Sequence, residues 1–254
     1  LARKAKGGLL EEFCRFTEGT ETPAAYAVWA GIMTISAVLG RDCFVDYGYY
    51  TIYPNLYCIF VGPSAVAKKS TPIKIATRFL KEVVPPINIL SQKMTPEALI
   101  ESLSGLNGEE GATVVVPSAV GIAMVSEMDT LINQGAFKSG MIGILTDLYD
   151  AEDFEYRTRS RGRELVKNPC LSILGGSTMH WIREAIPVTA IGGGFTSRIV
   201  FVYSQGSGKL IPRPVMTDEN KRRREQIVHD LCMIGRLRGP FALDEDAIKI
   251  YDGE

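Results

Sequence analysis

Residues 56–71 constrain this chain more than any other stretch. They read Leu-Tyr-Cys-Ile-Phe-Val-Gly-Pro-Ser-Ala-Val-Ala-Lys-Lys-Ser-Thr. A short apolar run leads into a loop of small residues, and Lys-Lys-Ser-Thr then opens a helical segment. Strand, loop and helix in that order are the plan of a P-loop. Backbone N–H groups of such a loop face phosphates, and the helix adds its positive N-terminal end. A lysine then reaches the β/γ-phosphates and a hydroxyl holds Mg²⁺.

The usual spacing is G-x-x-x-x-G-K-[ST]. Here the loop after Gly62 is one residue longer, and Ala67 or Lys68 stands where the second glycine is expected. Lys69 is assigned to the phosphates because Ser70 follows it directly. Lys68 is then left for solvent or an outer phosphate oxygen, and the choice between the two lysines stays open. The expected cradle is Gly62, Pro63, Ser64, Ala65, Lys68, Lys69, Ser70 and Thr71, with Ser70 or Thr71 on the metal. The plainer reading is a strand-turn-helix with a basic helix start.

The chain has 254 residues, 46% of them hydrophobic, enough for one substantial α/β core with an appendage. A formal net charge of −1 advertises no nucleic-acid binding overall, so any such site must be a local patch. The five cysteines are scattered without a C-x-x-C pair, and Cys58 and Cys170, inside apolar runs, read as buried thiols of a reducing compartment, with no disulfide frame or zinc site. Two histidines are too few for a His-rich metal centre. No apolar run has membrane-spanning length and no signal peptide is visible. The chain starts at Leu1 and stops at Glu254 just after a helical pattern begins, so a piece of a longer polypeptide is expected.

Apolar spacing predicts helices over residues 8–40, broken at 20–23, and a hairpin over 43–53 with Gly48 near its turn. A helix is expected over 71–84, a short strand over 87–90, and a helix over 95–103 with Thr95 as N-cap and Pro96 at its first position. Strands are expected at 113–116, 121–125, 170–174 and 199–203, and helices at 140–149, 218–237 and from 244 onward. Alternation of helices with apolar strands implies a mostly parallel sheet covered on both faces. The expected organisation is an N-terminal helical and hairpin element (1–53), a P-loop core (54–212) and a C-terminal helical segment (213–254).

A triphosphatase needs a carboxylate near Mg²⁺ and the attacking water. The run 121–125 ends in Ser126-Glu127, where such a carboxylate would sit. Glu127 is the candidate to polarise water. Ser126 replaces the metal-binding Asp of the usual pair, and Asp129 could compensate only if the chain bends. Ser177 or Thr178, at the end of another apolar run, could read the γ-phosphate or cap the next helix. Arg198 follows three glycines and heads a strand, which makes it a candidate arginine finger for a neighbouring subunit, or a partner for a core carboxylate. Arg157, Arg159, Arg161 and Arg163 alternate around Gly162, with Lys167 beyond. A basic hairpin of this kind would track a phosphodiester backbone, unless it is only a solvated loop. The run 221–224, Lys-Arg-Arg-Arg, is better explained as a solvated helix face.

Together these segments resemble a family of phage and prophage primase/helicase-like ATPases. The resemblance rests on Tyr-Pro-Asn-Leu-Tyr (53–57), Gly-Pro-Ser-Ala (62–65) with Lys-Ser-Thr (69–71), and Ser126-Glu127. It also takes in Leu-Thr-Asp-Leu-Tyr-Asp (145–150), Asn168-Pro169 and Gly-Gly-Gly-Phe-Thr-Ser-Arg-Ile (192–199), and spans about residues 10–205. It implies a P-loop domain of the RecA/AAA+ broad class, found in replication proteins that assemble as rings, and makes the long loop a family trait. The expectation is therefore an ATP- and Mg²⁺-dependent helicase motor on single-stranded DNA. It would work as a ring, taken as a hexamer, with a primase or polymerase domain as a further partner. It would act in the cytoplasm, the host's if the source is viral. The alternatives are a non-motor switch such as a helicase loader or recombination regulator, and a partner-binding domain that has lost hydrolysis.

Overall fold

The computed structural model describes residues 8–104, 119–132, 140–158, 162–185 and 194–253. In chain order come α1 (Leu9–Thr17), α2 (Ala24–Leu39), β1 (Cys43–Asp46), β2 (Thr51–Ile52), β3 (Tyr57–Val61), α3 (Ser70–Leu80) and β4 (Ile89–Leu90). Next are α4 (Pro96–Ser104), β5 (Val120–Val125), α5 (Met141–Tyr149), β6 (Phe154–Thr158), β7 (Gly162–Val166) and β8 (Cys170–Ser177). The order closes with α6 (Met179–Ala185), β9 (Ile199–Tyr203), α7 (Asp218–Ile234), β10 (Gly239–Pro240) and α8 (Glu245–Asp252). The strand expected at 113–116 lies outside the described residues.

Five strands form one all-parallel sheet in the order β4-β5-β8-β3-β9. The α/β class and the helix-covered parallel sheet are as expected. Burial along β3 shows why this strand sits centrally. All five of its residues are buried. Tyr57, Ile59 and Val61 enter the core on one face, and Cys58 and Phe60 the core on the other. Successive side chains of a strand point to opposite faces, so an unbroken apolar run has no solvent side.

One face is covered by α1, α2, α3 and α7, and the other by α4 and α5. Tyr26 of α2 stacks on Phe60 with ring centroids 4.5 Å apart, and its hydroxyl donates to the Val61 carbonyl at 2.6 Å. Pro96 opens α4 as expected, with the Thr95 hydroxyl accepting from the Ala98 N–H at 3.3 Å. Helix α3 is shorter than its apolar pattern suggested and stops at Leu80.

The ends of the sheet differ in character. At the N-terminal end of β3, Asn55 Nδ2 donates to the Tyr149 carbonyl at 2.7 Å, and the Tyr57 hydroxyl donates to the Leu145 carbonyl at 2.8 Å. Arg198 forks onto both oxygens of Asp150 at 2.8 and 2.9 Å and lies over the Tyr149 ring. Arg41 donates to the carbonyls of Ala151 and Pro169, both at 2.6 Å. Segments 53–57, 145–151, 168–169 and 198–199 therefore gather here, as a polar lock between α5 and the strand starts.

Candidate functional site

In a parallel α/β sheet, ligands lie outside the carboxyl ends of the strands. At that edge, loop 62–69 leaves β3 and delivers the chain to α3. Gly62 is buried against three partners. A Cβ there would lie 2.3 Å from the Ser204 carbonyl oxygen, 2.6 Å from Ala67 Cβ and 2.8 Å from the Tyr26 hydroxyl. Its N–H donates to the Ser177 carbonyl at 3.2 Å, which ties the loop to the end of β8. Pro63, Ser64 and Ala65 form the exposed tip of the loop.

Two non-glycine residues of the loop have positive φ, Ala65 at 62° and Lys68 at 50°. Lys68 thus holds the left-handed position that a glycine would fill most cheaply. Its ammonium turns out of the loop and pairs with Glu21 Oε2 at 2.8 Å. Lys69 does the opposite. Its side chain is buried, and Nζ donates to the Gly62 carbonyl at 2.9 Å and more weakly to that of Pro63 at 3.4 Å. Burial pulls the Lys69 ammonium below its ordinary range, while the negative charge of Glu127 works against that shift. An ammonium resting on loop carbonyls beside the orphan N–H groups of a helix start is positioned to trade those carbonyls for an anion.

The ends of β5 and β8 complete the edge. Residues 120–125 of β5 pair in register with 170–175 of β8. Past the pairing, a Cβ on Gly176 would meet the Ser126 carbonyl oxygen at 2.6 Å and Lys69 Cβ at 3.4 Å. Ser126, Gly176 and Lys69 thus meet at one point, with Glu127 exposed beside it. The chain does bend after Glu127, into a 3₁₀ turn over Met128–Thr130, which leaves Asp129 exposed. Ser177 is buried next to the loop start, opposite Val61 in register. The Thr178 hydroxyl caps α6 by accepting from the Trp181 N–H at 3.2 Å. Ser70 and Thr71, both half-buried, form the first turn of α3. Among the described residues no group of three or more His, Cys, Asp or Glu side chains forms a metal cage. Oxygens at this edge that could serve a cation include the Ser70 and Thr71 hydroxyls and the Glu127 carboxylate.

Arg198 is not at this edge. Ile199 pairs with Tyr57, so Arg198 sits at the far end of β3. Six residue steps, from the level of Leu56 to Gly62, at roughly 3.3 Å each separate it from the loop by about 20 Å. Its carboxylate partner is Asp150 of the same chain. The basic hairpin exists as β6 and β7, with Arg157 directly opposite Arg163. Both are exposed, Arg163 pairs with Glu155 at 2.8 Å, and Lys167 is exposed just past β7. Arg159 and Arg161 lie outside the described residues. The other face of the hairpin packs on the core through Phe154, Tyr156 and Val166.

Sequence reasoning missed Glu21. It receives Lys68 from the loop, while its Oε1 accepts the Ile211 N–H at 2.9 Å and its carbonyl accepts the Ser207 hydroxyl at 2.9 Å. Hydrogen bonding from Lys68 holds its carboxyl below the usual range. Segment 204–211 thereby becomes a strap around the loop, passing Val66 so closely that a Cβ on Gly206 would lie 3.1 Å from its carbonyl oxygen. The only sequence signal was Thr-Glu-Thr-Pro (20–23), which reads as a helix break.

No helix among the described residues is long and apolar enough to cross a membrane. No protein-family model matches the chain, and no curated protein matches it either.

Proposed function

We propose that this chain is a P-loop ATPase, the motor domain of a replicative DNA helicase that moves on single-stranded DNA as a ring. The observation that carries the reading is Lys69, whose buried ammonium rests on the Gly62 carbonyl at the foot of the loop and feels the opposing charge of Glu127. In this reading Lys69 receives the β/γ-phosphates, Ser70 or Thr71 holds Mg²⁺, Glu127 orients water, and Ser177 or Thr178 senses the γ-phosphate. The order β5-β8-β3 supports it, because it sets the polar end of β8 between the loop and the carboxylate. A magnesium ion held by Ser70 or Thr71 would supply charge neutralisation at the transferring phosphoryl group.

The helicase part rests on the resemblance and on the exposed arginine hairpin, which offers backbone contacts without base readout. Arg198 would serve as a finger only toward a neighbouring subunit, and would have to leave Asp150 to do so. A loader or regulator would share the same loop chemistry without unwinding.

Phosphate release by purified protein, with and without single-stranded DNA, tests the proposal. Turnover stimulated by DNA and lost in Lys69→Ala and Glu127→Gln is the expected result. Nucleotide binding with no turnover would leave a partner-binding domain, and turnover indifferent to DNA would leave a switch.

A further inference from the structure

The strap after β9 continues past the loop and ends at residues 214–216, against α1, α3 and the start of α7. A cavity of about 330 Å³ lies beneath it, within the size range of small-molecule sites. We infer that this cavity receives the base and ribose of the nucleotide, an inference that rests on reading loop 62–69 as the phosphate site.

Three features argue for that occupant. The first is continuity. Thr71 lines the cavity two residues beyond Lys69, and Ile75 and Arg78 extend the lining along the same face of α3. A ligand whose phosphates sit at the first turn of α3 therefore has its next atoms beside the Thr71 wall of the cavity. The second is wall chemistry. Phe16 and Ile75, the more buried, form an apolar floor, and the exposed Val215 and Met216 form a lip. Val215 and Met216 keep 73% and 49% of their surface exposed, an apolar lip that a flat aromatic base would cover. The third is the sign of the polar rim. Arg78 and Arg224 can only donate, Arg224 with one nitrogen already on Glu82 Oε1 at 2.6 Å, and Asn220 adds an amide whose Oδ1 accepts from Arg223 at 3.3 Å. Donors at this rim suit ring nitrogens, ribose oxygens and an α-phosphate.

Calorimetric titration of the whole protein with Mg·ATP and, separately, with magnesium tripolyphosphate tests the inference. The variants are Val215→Asp, which places a charge on the exposed lip, and Ile75→Trp, which fills the floor. Thermal melting of each confirms that it is folded. The wild type should hold ATP at least about tenfold more tightly than tripolyphosphate, and each folded variant should erase that difference with tripolyphosphate binding unchanged. Equal affinity for the two ligands in the wild type would overturn the cavity assignment and leave the phosphate loop standing. So would a loss of both ligands to the same degree in the variants. Binding of neither ligand by the wild type would bring down the loop reading and this inference together.

Discussion

Lys68 and Glu21 are joined by a 2.8 Å ion pair, and that pair leaves Lys69 as the lysine that faces the loop. Two adjacent residues of identical chemistry are thereby given opposite environments, one half-exposed on a neighbouring turn and one buried on backbone carbonyls. Glu21 achieves this as part of a wider junction, because it also takes the Ile211 N–H.

The two lysines should separate cleanly in turnover. Lys69→Ala is expected to lower phosphate release by at least about 100-fold, the scale of losing a charge that stabilises a transferring phosphoryl group. Lys68→Gly should stay within a few-fold of wild type, because glycine accepts the positive φ at that position without strain. A dead Lys68→Gly enzyme with an active Lys69→Ala would reverse the assignment.

Arg198 can be tested against its intrachain partner. A double-mutant cycle with Arg198→Ala and Asp150→Ala, read by urea unfolding, should return a coupling of about 1 kcal/mol for this forked but partly exposed pair. Asp150→Ala should retain turnover, since it frees the arginine, whereas Arg198→Ala should lose the DNA-stimulated part. If both variants keep full stimulation, Arg198 is a structural clamp and the finger lies elsewhere.

The hairpin between β6 and β7 should control DNA response without touching basal hydrolysis. Replacing Arg159 and Arg161 with alanine should remove stimulation by single-stranded DNA. It should also lower the salt slope of binding by about 1.4, at about 0.7 for each phosphate no longer neutralised. Unchanged DNA affinity in the double variant would sink the tracking role.

Alkaline pH should weaken the fold through two buried thiols. Burial pushes Cys58 and Cys170 up from 9.0 to about 12. Their folded values lie above their unfolded ones, so the stability they contribute is complete below pH 9 and drains away between pH 9 and about 12. The loss is about 1.4 kcal/mol per pH unit for each thiol in that window. Urea midpoints between pH 8 and 11 should fall less steeply in Cys170→Ala than in wild type.

Gly62→Ala should destabilise the protein by about 1–3 kcal/mol, because the added methyl meets a backbone oxygen that cannot rotate away. Calorimetry would read this as a lower Tm. An unchanged Tm would mean that the strap yields more easily than its packing against the loop suggests.

Local pattern carried much of the architecture. The buried run of β3, the Thr95 cap before α4 and the glycine-turned hairpin of β1 and β2 each follow from neighbours in the chain. The strand-loop-helix course around residues 62–69 was equally legible, because a run of small residues separates an apolar strand from a basic helix start. What lay hidden depended on distant partners. Nothing near Lys68 in sequence announces Glu21, and nothing near Arg198 announces Asp150, 48 residues earlier. The strap at 204–211 escaped notice because it has no periodicity, only backbone and hydroxyl bonds to a turn far upstream. Helix α3 ends before its apolar spacing does, because past Lys81 the backbone tightens to i→i−3 bonds at Glu82 and Val83.

The absence of a free face on β3 has an evolutionary consequence. Each of its five side chains is packed into one of two cores, so nearly any change there risks the whole fold. Substitutions at this edge that spare both cores are open at the exposed loop residues Pro63 to Val66 and in the strap that embraces them. A library directed at those positions would explore new ligand preferences on an unaltered chassis, whereas one directed at the strand would mostly sample unfolded protein.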